Sequence, residues 1–125
     1  MFQSKQVGAK LIRISILDPK EPEDATSFFR TLDELVGGEK FGLILFTEGK
    51  AGFCEQDKRK LTSWFRAHKS VLRDKCLGYA RVNTKTGLLG KLESKAMKLA
   101  MPCPYLVTRH EDHALKWLKN LAEKI

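Results

Sequence analysis

The chain is poor in cysteine, and its cysteines are ill placed for crosslinking. Cys54, Cys76 and Cys103 are the three it has, and no two form a C-x-x-C pair. An odd, scattered set builds no disulfide framework. It fits small buried residues in a reducing, cytoplasmic setting. Long apolar runs are also missing: no stretch approaches the ~18 residues a membrane helix requires. Met1-Phe2-Gln3-Ser4-Lys5 offers no apolar core and no small-residue cleavage site, which speaks against a secretory signal. The four prolines, Pro19, Pro22, Pro102 and Pro104, all fall where an element starts or stops. Acidic residues run short in the second half. Residues 1–57 carry seven Lys/Arg and ten Asp/Glu, a net of −3, whereas residues 58–125 carry sixteen and five, a net of +11.

The signatures of catalysis are absent too. There is no G-x-G-x-x-G and no G-x-S-x-G. Gly87-Leu-Leu-Gly90-Lys91 lacks both the four-residue gap and the Ser/Thr after Lys that a phosphate loop needs. His110 and His113, with Glu111 and Asp112, stand at a helix start without a third ligand nearby. Thr108 and Glu111 have the spacing of a capping box, which explains that cluster without a metal. Cys54 lies just ahead of a helix N-terminus, where a thiol pKa can fall; it is the one candidate nucleophile, against the plainer reading of a structural or capping residue. No cofactor or metal is expected.

What is present is an even α/β pattern over one domain, residues 1–125. At 42% hydrophobic and 30% charged residues, the chain has enough apolar material for one core. Leu11 to Ile16 alternates as a half-buried strand, with a short leading strand from Phe2 to Gln6 turned into it by Val7-Gly8-Ala9. Glu21, Glu23 and Asp24 favour a helix N-terminus, Pro22 suits its first turn, and Gly37-Gly38 stops it. Phe41 to Phe46 is a continuous apolar run, the mark of a central strand buried on both faces, and Thr47 to Gly52 reads as a loop. A second helix is expected from Glu55 to Arg73, with Leu61, Trp64, Phe65, His68 and Leu72 on its apolar stripe. Cys76 to Val82 and Tyr105 to Thr108 are further strands; Leu88 to Leu99 and Ala114 to Ile125 are further helices. The order predicts a mixed, mostly parallel sheet of four to five strands flanked by about four helices.

The basic surplus lies on helix faces. Lys58, Arg59, Arg66, Lys69 and Arg73 fall within an arc of about 100° on the second helix. Lys91, Lys95 and Lys98 line one side of the third, and Lys116 and Lys119 add to the last. Few acids interleave, so neighbouring ion pairs do not account for these cations. Nucleic acid is the less favoured partner, since Trp64, Phe65 and Trp117 sit on or beside helical core stripes and cannot double as stacking platforms. An anionic membrane surface or ligand is the alternative to a protein partner.

With these motifs placed, the chain resembles the STAS/SpoIIAA-like superfamily, in particular bacterial STAS/SEC14-like proteins. The likeness is carried by Phe41 to Phe46 followed by Gly52, and by Leu61, Trp64, Arg66, Ala67 and His68 in an L-x-x-W-x-R-x-H pattern. Cys76-x-Gly78, the Pro102 and Pro104 break, and Ala114-Leu-x-Trp117-Leu118 complete it. The resemblance implies a SpoIIAA-like α/β fold and a non-enzymatic module that binds a protein partner. It also implies a switch Ser at the N-terminus of the helix after the central strand, phosphorylated to add charge at a docking surface. Here that junction is Gly52-Phe53-Cys54-Glu55, without an acceptor hydroxyl. The expected protein-docking surface is Lys50, Phe53 and Cys54 at the start of the second helix, with the neighbouring stripe of Lys58, Arg59, Arg66, Lys69 and Arg73; Lys91 and Lys95 of the third helix join the second helix's cations in the alternative, an anionic-ligand or membrane-surface site. A homodimer is compatible with such a fold.

Overall fold

The structure is a computed structural model that describes residues 1–17, 21–47, 55–83 and 101–123. Five strands form one sheet in the order β1-β2-β3-β4-β5. They are β1 (Phe2–Gly8), β2 (Leu11–Ile16), β3 (Phe41–Thr47), β4 (Cys76–Asn83) and β5 (Tyr105–Thr108). Only β1 is antiparallel: it pairs with β2 from Phe2↔Ile16 to Gly8↔Leu11, and β2, β3, β4 and β5 then run parallel. The mixed, mostly parallel α/β sheet expected from the sequence is therefore present. The hairpin between β1 and β2 turns through Lys10, whose φ of 65° lies in the left-handed region. Lys10 O accepts from Gly42 N–H (2.7 Å), which ties this turn to β3.

Four helices are described: α1 (Pro22–Val36), α2 (Glu55–Ala67), α3 (Lys69–Lys75) and α4 (Glu111–Glu123). Each parallel crossover advances one strand in the same direction, and right-handed crossovers then place their helices on one face. Accordingly, Phe28, Phe29 and Leu32 of α1, Phe65 of α2 and Leu72 of α3 pack on Ile14, Ile16, Leu43, Leu45, Tyr79 and Tyr105. α4 follows the last strand and folds back over the other face, where Ala114 and Leu118 meet Leu11, Ile44, Ala80 and Val82. Both faces of β3 are thus covered, which is why Phe41 to Phe46 reads as an unbroken apolar run.

Local chemistry sets the helix ends. Pro22 opens α1, and Asp24 at the third helical position accepts from Glu21 N–H (2.9 Å) and from the amino group of Met1 (2.7 Å). At the other end, Lys75 Nζ reaches the carbonyls of Val36 (3.1 Å) and Gly38 (2.8 Å), a cation on the last exposed acceptors of the helix.

The structure departs from the sequence reading at several points. The expected single helix from Glu55 to Arg73 is bent at His68, whose φ of −106° and ψ of 20° leave the helical region. The hydrogen bonds continue across the bend, from His68 N–H to Trp64 O (3.0 Å) and from Leu72 N–H to His68 O (2.9 Å). His68 folds back so that Nδ1 lies 2.8 Å from Trp64 O and its ring stacks on the indole at 4.2 Å. A carbonyl only accepts, so Nδ1 carries the proton. Thr47 belongs to β3 rather than to a loop. The helix expected from Leu88 to Leu99 lies outside the described residues. Among those described, no helix is long and apolar enough to cross a membrane.

Candidate functional site

Two surfaces bear groups that the fold does not need for its own packing. The first is the outer face of α2 and α3. On α2, Leu61, Trp64 and Phe65 point to the sheet. Phe65 meets the Tyr79 ring edge-on at 5.4 Å, and Trp64 Nε1 donates to Asp33 Oδ1 of α1 (2.8 Å). Arg59 and Arg66, seven residues apart, fall on the opposite side of the helix and are exposed. On α3, Leu72 is buried, and Lys69 and Arg73, four apart, face outward. None of these four cations makes an ion pair with a described residue. Two other cations of this region are structural instead. Lys60 Nζ stands 4.8 Å over the Phe29 ring, and Lys75 caps α1. Lys58 lies in α2 with its side chain outside the described set. Lys50, Phe53, Cys54, Lys91 and Lys95 also lie outside the described residues. The structure therefore brings together Arg59 with Arg66 and Lys69 with Arg73.

The second surface is the C-terminal edge of the parallel strands. Register aligns Ile16, Thr47 and Asn83 across β2, β3 and β4, with Leu45, Arg81 and Val107 in the row beneath. Strand alternation puts Thr47, Arg81 and Asn83 on the face shared with Tyr79, Leu43 and Leu45. Thr47 is 2% exposed, and its Oγ1 has no hydrogen-bond partner among the described residues. Arg81 is half-buried. Burial pushes the Tyr79 phenol up, and the positive charge of Arg81 acts in the opposite sense. The sequence reading passed over these residues. The available signal was Arg81-x-Asn83 at the end of a strand whose remaining positions are apolar.

The cluster after β5 is built differently from the expected capping box. Glu111 turns away from Thr108 and pairs with Arg13 of β2: Nε bonds Oε1, and Nη2 bonds Oε2 at 3.3 Å. Arg13 also donates to Ser15 Oγ, and its guanidinium lies 5.0 Å from the Phe46 ring centre. A half-buried guanidinium demands a carboxylate more strongly than a helix-end amide does, so the ion pair displaces the box. Thr108 Oγ1 instead accepts from His110 N–H (3.2 Å) and lies 3.4 Å from His113 Nδ1. Among the described residues, no three His, Cys, Asp or Glu side chains gather as metal ligands.

Comparisons with known protein families, with curated proteins and with solved structures return no match. The two surfaces have to be read on their own chemistry.

Proposed function

We propose that this chain is a non-catalytic binding module of the STAS/SpoIIAA-like kind, which docks an acidic protein partner through the outer face of α2 and α3. The observation that carries this reading is the set Arg59, Arg66, Lys69 and Arg73: four exposed cations on successive helices, without a described acid to pair with. Charges so placed add little to stability, but they steer association and select partners by complementarity. The five-stranded mixed sheet with helices on both faces is compatible with the family the sequence resembles. Without a hydroxyl at Gly52-Phe53-Cys54-Glu55, such a module would act by constitutive docking rather than by a phosphorylation switch there. A cytoplasmic setting fits its three unpaired-by-spacing cysteines.

The test is affinity capture from the source cell at low and high salt, with wild type and the double variant Arg59→Glu/Arg66→Glu. The expected result is an acidic partner held at low salt, weakened by salt, and lost on charge reversal. Should nothing bind at low salt, the basic face serves only solubility and the reading fails.

One observation favours a second reading, an anionic small ligand. Thr47 Oγ1 is a buried hydroxyl without a partner among the described residues, next to Asn83 and above Arg81. Leaving such a group unsatisfied costs about 1–3 kcal/mol, a cost that a ligand oxygen could recover. Titration of the protein with inorganic phosphate and, separately, with anionic lipid vesicles distinguishes a soluble anion from a membrane surface. A phosphate response abolished by Thr47→Val would place the site at the strand ends rather than on the helices.

A further inference from the structure

Cys76 and Cys103 come from opposite ends of a 26-residue separation in sequence, residues 77–102, and meet in the fold. Cys76 opens β4, and Cys103 lies two residues before β5. Both are free thiols, 7% and 8% exposed, and both belong to the core cluster that contains Phe65, Tyr79 and Tyr105. The pairing Tyr79↔Tyr105, with Tyr79 N–H donating to Pro104 O (2.8 Å), holds the two strand starts side by side. Cys103 thus lies beside the start of β4, where the irregularity at Leu77 brings Cys76 onto the same face as Tyr79 and Cys103. Neighbouring residues on adjacent strands fall within the Cα separations that a disulfide spans, about 4.4–6.8 Å. Cys76 Sγ donates to Gly78 O (3.5 Å), and the two thiols are close enough to influence each other's titration.

We propose that Cys76 and Cys103 form an oxidisable dithiol, closed to an intramolecular disulfide by hydroperoxides and reopened by low-molecular-weight thiols. In the first step one thiol releases its proton and the resulting thiolate attacks hydrogen peroxide. The O–O bond breaks, sulfur takes one oxygen as a sulfenic acid, and the other leaves as hydroxide, which takes up the released proton as water. In the second step the sulfur of the other cysteine attacks the sulfenic sulfur. The S–O bond breaks, the S–S bond forms, and the departing hydroxide takes the second thiol's proton as a second water. Two thiols and one peroxide give one disulfide and two waters, with two electrons passing from sulfur to oxygen. Reduction by two equivalents of a thiol such as glutathione reverses the oxidation. Cys76 directly follows α3, so the bond would form one residue beyond the helix that carries Lys69 and Arg73.

The test is peptide mapping of the folded wild-type chain after hydrogen peroxide treatment and alkylation, without reduction. The expected product is a linked pair of peptides containing Cys76 and Cys103, lighter by two hydrogens and separated by glutathione. Cys54→Ser should give the same link, and Cys103→Ser should leave Cys76 as a free thiol. A map with no Cys76–Cys103 link, a link that forms only in denaturant, or a dominant link through Cys54 would overturn the proposal. The wild-type map decides this even if a cysteine variant folds poorly.

Discussion

Gly42 and Gly78 lie directly opposite each other on β3 and β4, and together they form the floor on which Leu118 of α4 rests. A Cβ at Gly42 would stand 2.7 Å from Leu11 Cδ2 and 3.2 Å from Leu118 Cδ2. At Gly78 it would stand 2.9 Å from both Leu118 Cδ2 and Leu121 Cδ1, with the Trp117 ring at 3.3 Å. The pair lets α4 approach the sheet more closely than any side chain would allow. Gly78→Ala is therefore expected to destabilise the fold by about 1–3 kcal/mol through overpacking. Leu118→Ala alone should cost about 2–5 kcal/mol by opening a cavity. In the double variant the new methyl partly fills that cavity, so the combined loss in urea unfolding should fall short of the sum. Additive losses would show that α4 does not press on Gly78.

Thr47→Val tests the unsatisfied hydroxyl. Replacing Oγ1 by a methyl of similar size removes a buried polar atom that has no partner among the described residues. The variant should gain about 1 kcal/mol, a rise of roughly 3–5 °C in Tm for a chain of this length. A protein less stable than wild type would mean that the hydroxyl is engaged. The same substitution should abolish any phosphate response, so stability and binding would move in opposite directions.

Asp24 is 4% exposed and caps the first turn of α1 through Glu21 N–H. Asp24→Ala should cost about 1–2 kcal/mol in denaturant unfolding. Asp24→Asn keeps an acceptor oxygen and should recover part of that loss. If the two variants are equally unstable, the charge rather than the cap matters.

The double variant Arg59→Glu/Arg66→Glu should leave the midpoint of urea unfolding within about 0.5 kcal/mol of wild type, because both side chains are exposed. This outcome is needed before any loss of partner binding can be assigned to the surface. A large loss of stability would mean that the stripe belongs to the fold.

Element type was largely legible from the sequence. The alternation of Leu11 to Ile16, the unbroken run at Phe41 to Phe46 and the acidic, proline-marked start of α1 each follow from local periodicity and end chemistry, and each is present. The bend at His68 was not legible, because its cause is a ring folding onto the Trp64 carbonyl inside an otherwise continuous helical pattern. The capping box proposed for Thr108 and Glu111 failed for a long-range reason: Arg13, ninety-eight residues away, claims the carboxylate. No window of sequence around Glu111 contains that competitor.

The candidate sites divide along the same line. The basic character of α2 and α3 is a property of sequence, since helical spacing sets Arg59 with Arg66 on one face of α2 and Lys69 with Arg73 on one side of α3. The uneven distribution of charge, the apolar content sufficient for one core and the lack of familiar catalytic motifs were likewise fixed by composition and order. Tertiary structure decided which cations remain outside the packing, by taking Lys60 and Lys75 into contacts with α1. It also decided that Thr47, Arg81 and Asn83 share one edge, and that Cys76 and Cys103 share one core. The physical reason is that strand register joins residues distant in the chain. Periodicity sets the face on which a residue lies, whereas only the pairing of strands determines its neighbours there.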